Sequence, residues 1–196
     1  RSGVGRLVLV DRDFVEESNL HRQVLYDEAD CRERLPKAVA ALRHLKDARG
    51  DLAAEAHVAD LEPEMAEQIF SSCDVVVDGT DNFETRYLIN DASAAAGRPW
   101  IYGGAVAAMG SVMVVRPGAT ACLRCAFPDA PPPGSAPTCE TAGILGPAAG
   151  AVASLQAAEA IKILAGRPEL CSGGLLNVNL MDWTVARGAV PRRPDC

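Results

Sequence analysis

The sequence predicts an α/β protein built on a doubly wound, mostly parallel sheet with additional strands toward its C-terminal end. Three observations carry that prediction. Short, nearly continuous apolar runs of strand length recur along the chain, as expected of strands covered on both faces. Segments with helical spacing fall between them. Read in order, they give strand–helix–strand–helix–strand–helix–strand, the Rossmann-like alternation that winds helices over an open sheet.

The first run is Arg6-Leu-Val-Leu-Val-Asp11. Pro36 to Ala48 follows, with Val39, Leu42 and Leu45 at helical spacing and Gly50 as its stop. Ala54 to Ala59 reads as a second strand, and Pro63 to Phe70 as a short helix opened by proline. Cys73-Asp-Val-Val-Val-Asp78 is a third apolar run, expected as a buried strand, and a helix runs from Asn82 to Ala96. Trp100 to Val106 and Ser111 to Val115 read as two strands that part near Met109-Gly110. The stretch Asp129 to Pro137 carries four prolines and suits only a mobile loop. Pro147 to Ala165 is a long helix rich in Ala and Gly, and Leu175 to Leu180 a late strand. No internal repeat breaks the pattern, so one domain over residues 1–196 is expected.

Bulk properties narrow the function. With 48% apolar and 23% charged residues the chain is of ordinary globular composition. No run approaches the roughly 18 apolar residues that span a bilayer, so no membrane is expected. A net charge of -7 argues against an unassisted grip on nucleic acid. Seven irregularly spaced cysteines without a secretory leader read as reduced thiols and metal ligands, and place the expectation in the cytoplasm. Opening on Arg1 rather than Met, the chain is expected to be incomplete at its start.

The most informative early residue is Asp11, at the end of its strand. An acid there commonly bonds a ribose, about 20 residues after a glycine-rich phosphate turn. Counting back puts that turn before residue 1. Gly3-Val-Gly5 does not supply it, since these glycines precede a strand instead of following one. The plainer alternative for Asp11 is a turn residue.

Several motifs then point one way. Asp11-Arg-Asp-Phe-Val-Glu-Glu-Ser-Asn-Leu-His-Arg-Gln23 resembles D-x-D-x-V-x-x-S-N-L-x-R-Q, a signature of the ThiF/MoeB/HesA adenylyltransferases, relatives of ubiquitin-activating enzymes. Pro36-Lys37, Asp78-Gly-Thr-Asp-Asn-Phe-Glu-Thr-Arg86, Cys122-Leu-Arg-Cys125 and Cys139-Glu-Thr-Ala-Gly-Ile-Leu-Gly-Pro147 match further motifs of that family in order. So do Ser154-Leu-Gln-Ala-Ala-Glu-Ala-Ile-Lys162 and Arg193-Pro-Asp-Cys196.

The resemblance implies ATP-dependent adenylation of the C-terminal glycine of a small ubiquitin-like sulfur carrier ending in Gly-Gly. A sulfur-donor enzyme is a candidate second partner. Attack on the α-phosphorus needs cations beside the polyphosphate and a bound metal. By motif match Arg22 is the forked donor and Lys37 the point charge, and Asp81 is the magnesium carboxylate. Asp11, Ser18, Asn19, Gln23, Asn82 and Arg86 complete the expected ATP contacts. The residues also allow Asp81-Asn-Phe-Glu84 to be a capping box, with Thr80 or Asn82 sharing the cap. Cys122 and Cys125 are half of a zinc site or a redox pair, and the resemblance makes Cys196 a third zinc ligand. Cys139, ahead of a helix, is a candidate nucleophile or an inert loop thiol. Cys31, Cys73 and Cys171 read as structural. A homodimer is expected, from the resemblance and from the small-residue helix 147–165.

The chain departs from the family pattern at three points. The first strand and glycine-rich phosphate loop are absent, Asp30-Cys-Arg-Glu-Arg-Leu-Pro-Lys37 is two residues longer than the usual D-x-G-x-P-K, and the last cysteine is missing. Two alternatives stand beside the enzyme reading: a non-catalytic scaffold of the same fold, and a tRNA-modifying relative.

Overall fold

A computed structural model describes residues 2–129, 131, 139–194 and 196, with Cys139 and Glu140 described as backbone only. Apart from Asp129 and Pro131, the proline-rich loop expected up to Pro137 lies outside the described residues. The chain forms two compact units, Arg1–Glu62 and Pro63–Cys196.

In the first unit β1 (Arg6–Val10) lies parallel to β2 (Ala53–His57), with Arg6 opposite Ala53 and Val10 opposite His57. Between them come a 3-10 turn at Glu17–Asn19, helix α1 (Glu28–Glu33) and helix α2 (Lys37–Ala48). The sequence reading has no counterpart to α1, because a six-residue polar helix has no apolar period. Capping makes it: the Asp27 carboxylate accepts from the N–H groups of Ala29 and Asp30, and Asp30 accepts from that of Asp27. Arg34 ends it in the left-handed region, at φ 51°. The buried face of α2 consists of Ala38, Ala40 and Ala41, which let it lie close to the two strands, while Val39 is exposed.

The second unit runs α3 (Pro63–Ser72), β3 (Val76–Val77), α4 (Phe83–Ala96), β4 (Trp100–Val106), β5 (Met109–Val115), α5 (Leu123–Ala126), α6 (Cys139–Ala142), α7 (Gly146–Leu164), β6 (Leu175–Asn179) and β7 (Thr184–Gly188). The sheet order is β3-β4-β5-β6-β7; β3 and β4 are parallel and the later pairings antiparallel. On one face Ile101, Val112 and Val114 pack with Val152 and Ala160 of α7. Each of the valine and isoleucine side chains contributes about 1.5–3 kcal/mol by leaving water.

Several boundaries differ from expectation, for physical reasons. The run from Cys73 pairs only at Val76–Val77: Cys73 N–H still donates to Ile69 O of α3 at 3.0 Å, and Val77 is 47% exposed. Cys73 is therefore not in a buried strand. The β4–β5 turn falls at Ala107 and Ala108, not at Met109-Gly110, which pair within the hairpin. Ala107 adopts φ 51°, at a cost of roughly 1–2 kcal/mol, and is held there by Gly143 O and Leu145 N–H at 2.9 and 2.8 Å. β7 escapes the sequence reading because all its residues are exposed. The small-residue helix lays Val152 against Gly110, packing one face on the chain's own sheet, while Gly150, Ala153, Ala157 and Ala158 are exposed. Among the described residues no helix is long and apolar enough to cross a membrane.

Candidate active site

In the first unit β1 delivers Asp11 and Asp13 at its C-terminal end. Asp11 Oδ1 accepts from Asp13 N–H at 2.8 Å, the turn geometry that the plainer reading of Asp11 expects. Lys37 opens α2 and is 8% exposed; its Nζ donates to Asp13 Oδ2 at 3.1 Å. The main chain fixes this meeting. Lys37 N–H donates to Asp13 O at 2.7 Å and Val15 N–H to Leu35 O at 2.9 Å. The two extra residues before Lys37 are taken up by α1 and its left-handed end, so they leave Lys37 beside the strand end.

The serine–asparagine motif forms the tight turn after Glu16. Asn19, 7% exposed, offers its carbonyl to the N–H groups of Arg22 and Gln23 at 3.1 and 2.9 Å, and its amide donates to Ser18 Oγ at 3.0 Å. Arg22 Nη1 donates back to Ser18 O at 3.0 Å. Gln23 Oε1 is buried with no hydrogen-bond partner among the described residues, an acceptor that a donor on a ligand would satisfy. Tyr26 joins this region: burial, then the carboxylates of Asp11 and Asp30, push its phenol up to about 12.

In the second unit the turn between β3 and α4 is clamped from all sides. Buried Asp78 accepts from Thr80 N–H and Thr80 Oγ1 at 2.8 and 2.7 Å and from Arg86 Nε at 3.1 Å. Arg86, itself 7% exposed, donates through Nη2 to Thr80 O at 2.5 Å and Gly103 O at 3.1 Å, and lies over the rings of Phe83 and Tyr102. Its guanidinium is thus committed to protein groups. Asn82, not Asp81, caps α4, accepting from Thr85 N–H at 2.8 Å. Exposed Asp81 is left with no hydrogen bond or ion pair among the described residues. The capping box on Asp81 is thereby corrected: the neighbouring asparagine takes the structural task and leaves the carboxylate available.

A separate cluster gathers three thiols, two from α5 and its N-cap in the middle of the unit and one from its C-terminal end. Cys122 Sγ lies 3.8 Å from Cys125 Sγ and 3.5 Å from Cys196 Sγ. All three fall within the span of one metal ion. Burial pushes the Cys122 thiol up. In Cys125 burial is outweighed by N–H donors from Arg193 and Cys122, which hold it below the usual thiol range. The knuckle is tied to α4, where Asn90 Oδ1 accepts from Leu123 N–H at 2.8 Å and Asp91 pairs with Arg124. Three converging sulfurs, one biased toward thiolate, fit a thiolate-binding metal such as zinc with one position open. Cys139 begins α6, but its side chain is outside the described residues.

Asp13, Asp78, Tyr26 and Gln156 have no assigned role in the sequence reading. Asp13 and Asp78 stand inside its motifs, so the signal was present; what they bond to was not. Gln156 sits in a helical motif whose other members are mostly apolar.

The α/β fold of this chain is shared by the solved microcin C7 biosynthetic enzyme MccB. That enzyme, in complex with N-formylated MccA, superposes with TM-score 0.84 at 21% identity, over 99% of this chain and 60% of that one. The chain belongs to the ThiF family, whose model matches residues 1–196. The sulfur carrier protein ThiS adenylyltransferase of Bacillus subtilis is 42% identical over 190 residues, covering 97% of this chain and 55% of that protein. The sulfur carrier protein adenylyltransferase of Thermus thermophilus is 40% identical over 200 residues, 73% of its length. The SAMP-activating enzyme E1 of Haloferax volcanii is 39% identical over 194 residues, 71% of its length. The chain therefore spans about half to three quarters of the length of these relatives.

Proposed function

We propose that this protein adenylates the C-terminal glycine of a small ubiquitin-like sulfur carrier, using ATP and magnesium. The observation that carries the reading is Asp81: an acid at a strand end, freed by the Asn82 cap and by the clamp around Thr80. The names of the sulfur-carrier relatives support the substrate class.

In this reading Asp81 would hold magnesium, whose contribution is to offset charge on the polyphosphate. In the first unit Lys37, paired with Asp13, and Arg22, braced on Ser18, would carry phosphate charge. Asp11, Ser18, Asn19 and Gln23 would bond ribose and phosphate oxygens. Arg86 would act by fixing the turn, since its donors are engaged. Asn82 would hold the start of α4. Cys122, Cys125 and Cys196 would hold zinc, which braces the segment near Arg193 against α4. Cys139 is the candidate thiol for a later acyl or sulfur transfer. A cytoplasmic homodimer working with a sulfur donor completes the proposal.

Carrier-dependent ATP–pyrophosphate exchange tests it, using small proteins ending in Gly-Gly. Exchange that requires the carrier and disappears in Asp81→Ala is expected. A folded, ATP-binding protein that exchanges with no such carrier would refute it.

A further inference from the structure

The end of β3 lacks one rung that its pairing with β4 calls for. Val76 N–H donates to Pro99 O at 3.2 Å and Asp78 N–H to Ile101 O at 3.0 Å, with Val77 opposite Ile101. In an evenly spaced parallel ladder the next bond would run from Gly103 N–H to Asp78 O. Gly103 N–H instead donates to the Asp78 side chain, at Oδ2, 3.3 Å away. The Asp78 carbonyl takes its donor from the helix above: Gln156 Nε2 of α7 lies at 2.7 Å, and the same amide reaches Ile101 O at 3.1 Å. Two side chains thus replace one main-chain rung, and the chain separates from β4 at Asp78.

Packing alone does not explain Gln156. It is 5% exposed, on a helix face shared with Ala148, Val152 and Ala160. An unpaired amide there is destabilising, and a leucine would fill the space without that risk. The two hydrogens of the amide reach two carbonyls, that of Asp78, which lacks its ladder donor, and that of Ile101, which also accepts from Asp78 N–H. Gly103 is shaped to the same contact, because a Cβ there would come within 2.3 Å of Gln156 Nε2.

Asp81 follows three residues after the missing rung. We infer that Gln156 is a positioning residue for Asp81: by taking the Asp78 carbonyl, it fixes where the turn leaves the sheet and so where the Asp81 carboxylate stands. This inference rests on the reading of Asp81 as the cation ligand.

The test needs no turnover. Mn2+ binding in the presence of ATP is followed by electron paramagnetic resonance on the full chain, its Gln156→Leu and Gln156→Glu variants, and Asp81→Asn. Gln156→Leu should bind Mn2+ about tenfold more weakly, the usual scale for loss of a group that supports a ligand. Gln156→Glu should bind as weakly near pH 8, where the carboxylate faces two carbonyls without a hydrogen, and recover toward the parent near pH 5.5 as it gains one. Asp81→Asn should lose the site. A folded Gln156→Leu that binds Mn2+ like the parent would overturn the inference. If that variant does not fold, Gln156→Glu decides alone, and weak binding that ignores pH would overturn it. Binding unaffected by Asp81→Asn would remove the reading of Asp81 and the inference together. Expected Mn2+ results without any pyrophosphate exchange would sink adenylation and leave the inference standing.

Discussion

Removing the Arg86 guanidinium should cost far more than its single ion pair suggests. Arg86 serves Asp78 Oδ2 at 3.1 Å, Thr80 O at 2.5 Å and Gly103 O at 3.1 Å, and both charged side chains are buried, at 8% and 0% exposure. Arg86→Ala would strand the Asp78 carboxylate in the protein interior with only Thr80 and Gly103 donors. Breaking a buried pair from one side costs about 3–5 kcal/mol, roughly a fifth or more of the ~5–15 kcal/mol that holds a typical domain together. Arg124 offers the matching control. It pairs with Asp91 at 2.6 Å, but the side chains are 46% and 54% exposed, so Arg124→Ala should cost about 1 kcal/mol or less. Urea unfolding at neutral pH, followed by circular dichroism, measures both. The double variant Arg86→Met/Asp78→Leu should cost less than the sum of its singles, because no charge is left unpaired. An Arg86→Ala loss no larger than that of Arg124→Ala would refute the argument.

Asn82→Ala should destabilise the protein by about 1 kcal/mol through loss of the α4 cap, and Asn82→Asp should restore most of it; the same urea titration reads both. The thiol cluster should bind one zinc ion per chain, measured by metal analysis, and Cys122→Ser should lose it. Asp30 gives a pH test. Burial alone would raise its pKa, but the His44 hydrogen bond, the Asp27 N–H and the charges of His44 and Arg43 hold it below the ordinary carboxylate range. A depressed pKa means that its contribution is complete above about pH 3.9 and fades as pH falls through the folded-state value. Unfolding measured from pH 6 down to 3 should show the difference between the parent and Asp30→Asn shrinking at the acid end. A difference that stays constant with pH would contradict this.

The sequence showed most of the fold through periodicity, since helix and strand periods depend on local burial. The elements it misplaced are those whose boundaries depend on distant partners. Val76–Val77 is short because the chain must leave β4 at Asp78, and the β4–β5 turn sits at Ala107 because Gly143 and Leu145 bond it there. Capping, visible only as Asp27 and Asp30, made α1 from a stretch that looked like an insertion.

For the candidate site, motif and residue type alone nominated the candidates, Asp11, Arg22, Lys37, Asp81 and the thiols Cys122, Cys125 and Cys196, because each chemistry admits few side chains. Only the tertiary structure decided their division of labour. Asp81 and Asn82 are neighbours with equal claims to a helix cap, and the backbone gave the cap to Asn82. Arg86 suits a polyphosphate by charge as Asp81 suits a cation, yet burial committed Arg86 to Asp78 and the carbonyls around it. Gln156 acquired a partner across the sheet, 78 residues away. A residue's charge and hydrogen-bonding capacity are properties of its type; which partner uses them is fixed by packing, and packing is not local in the chain.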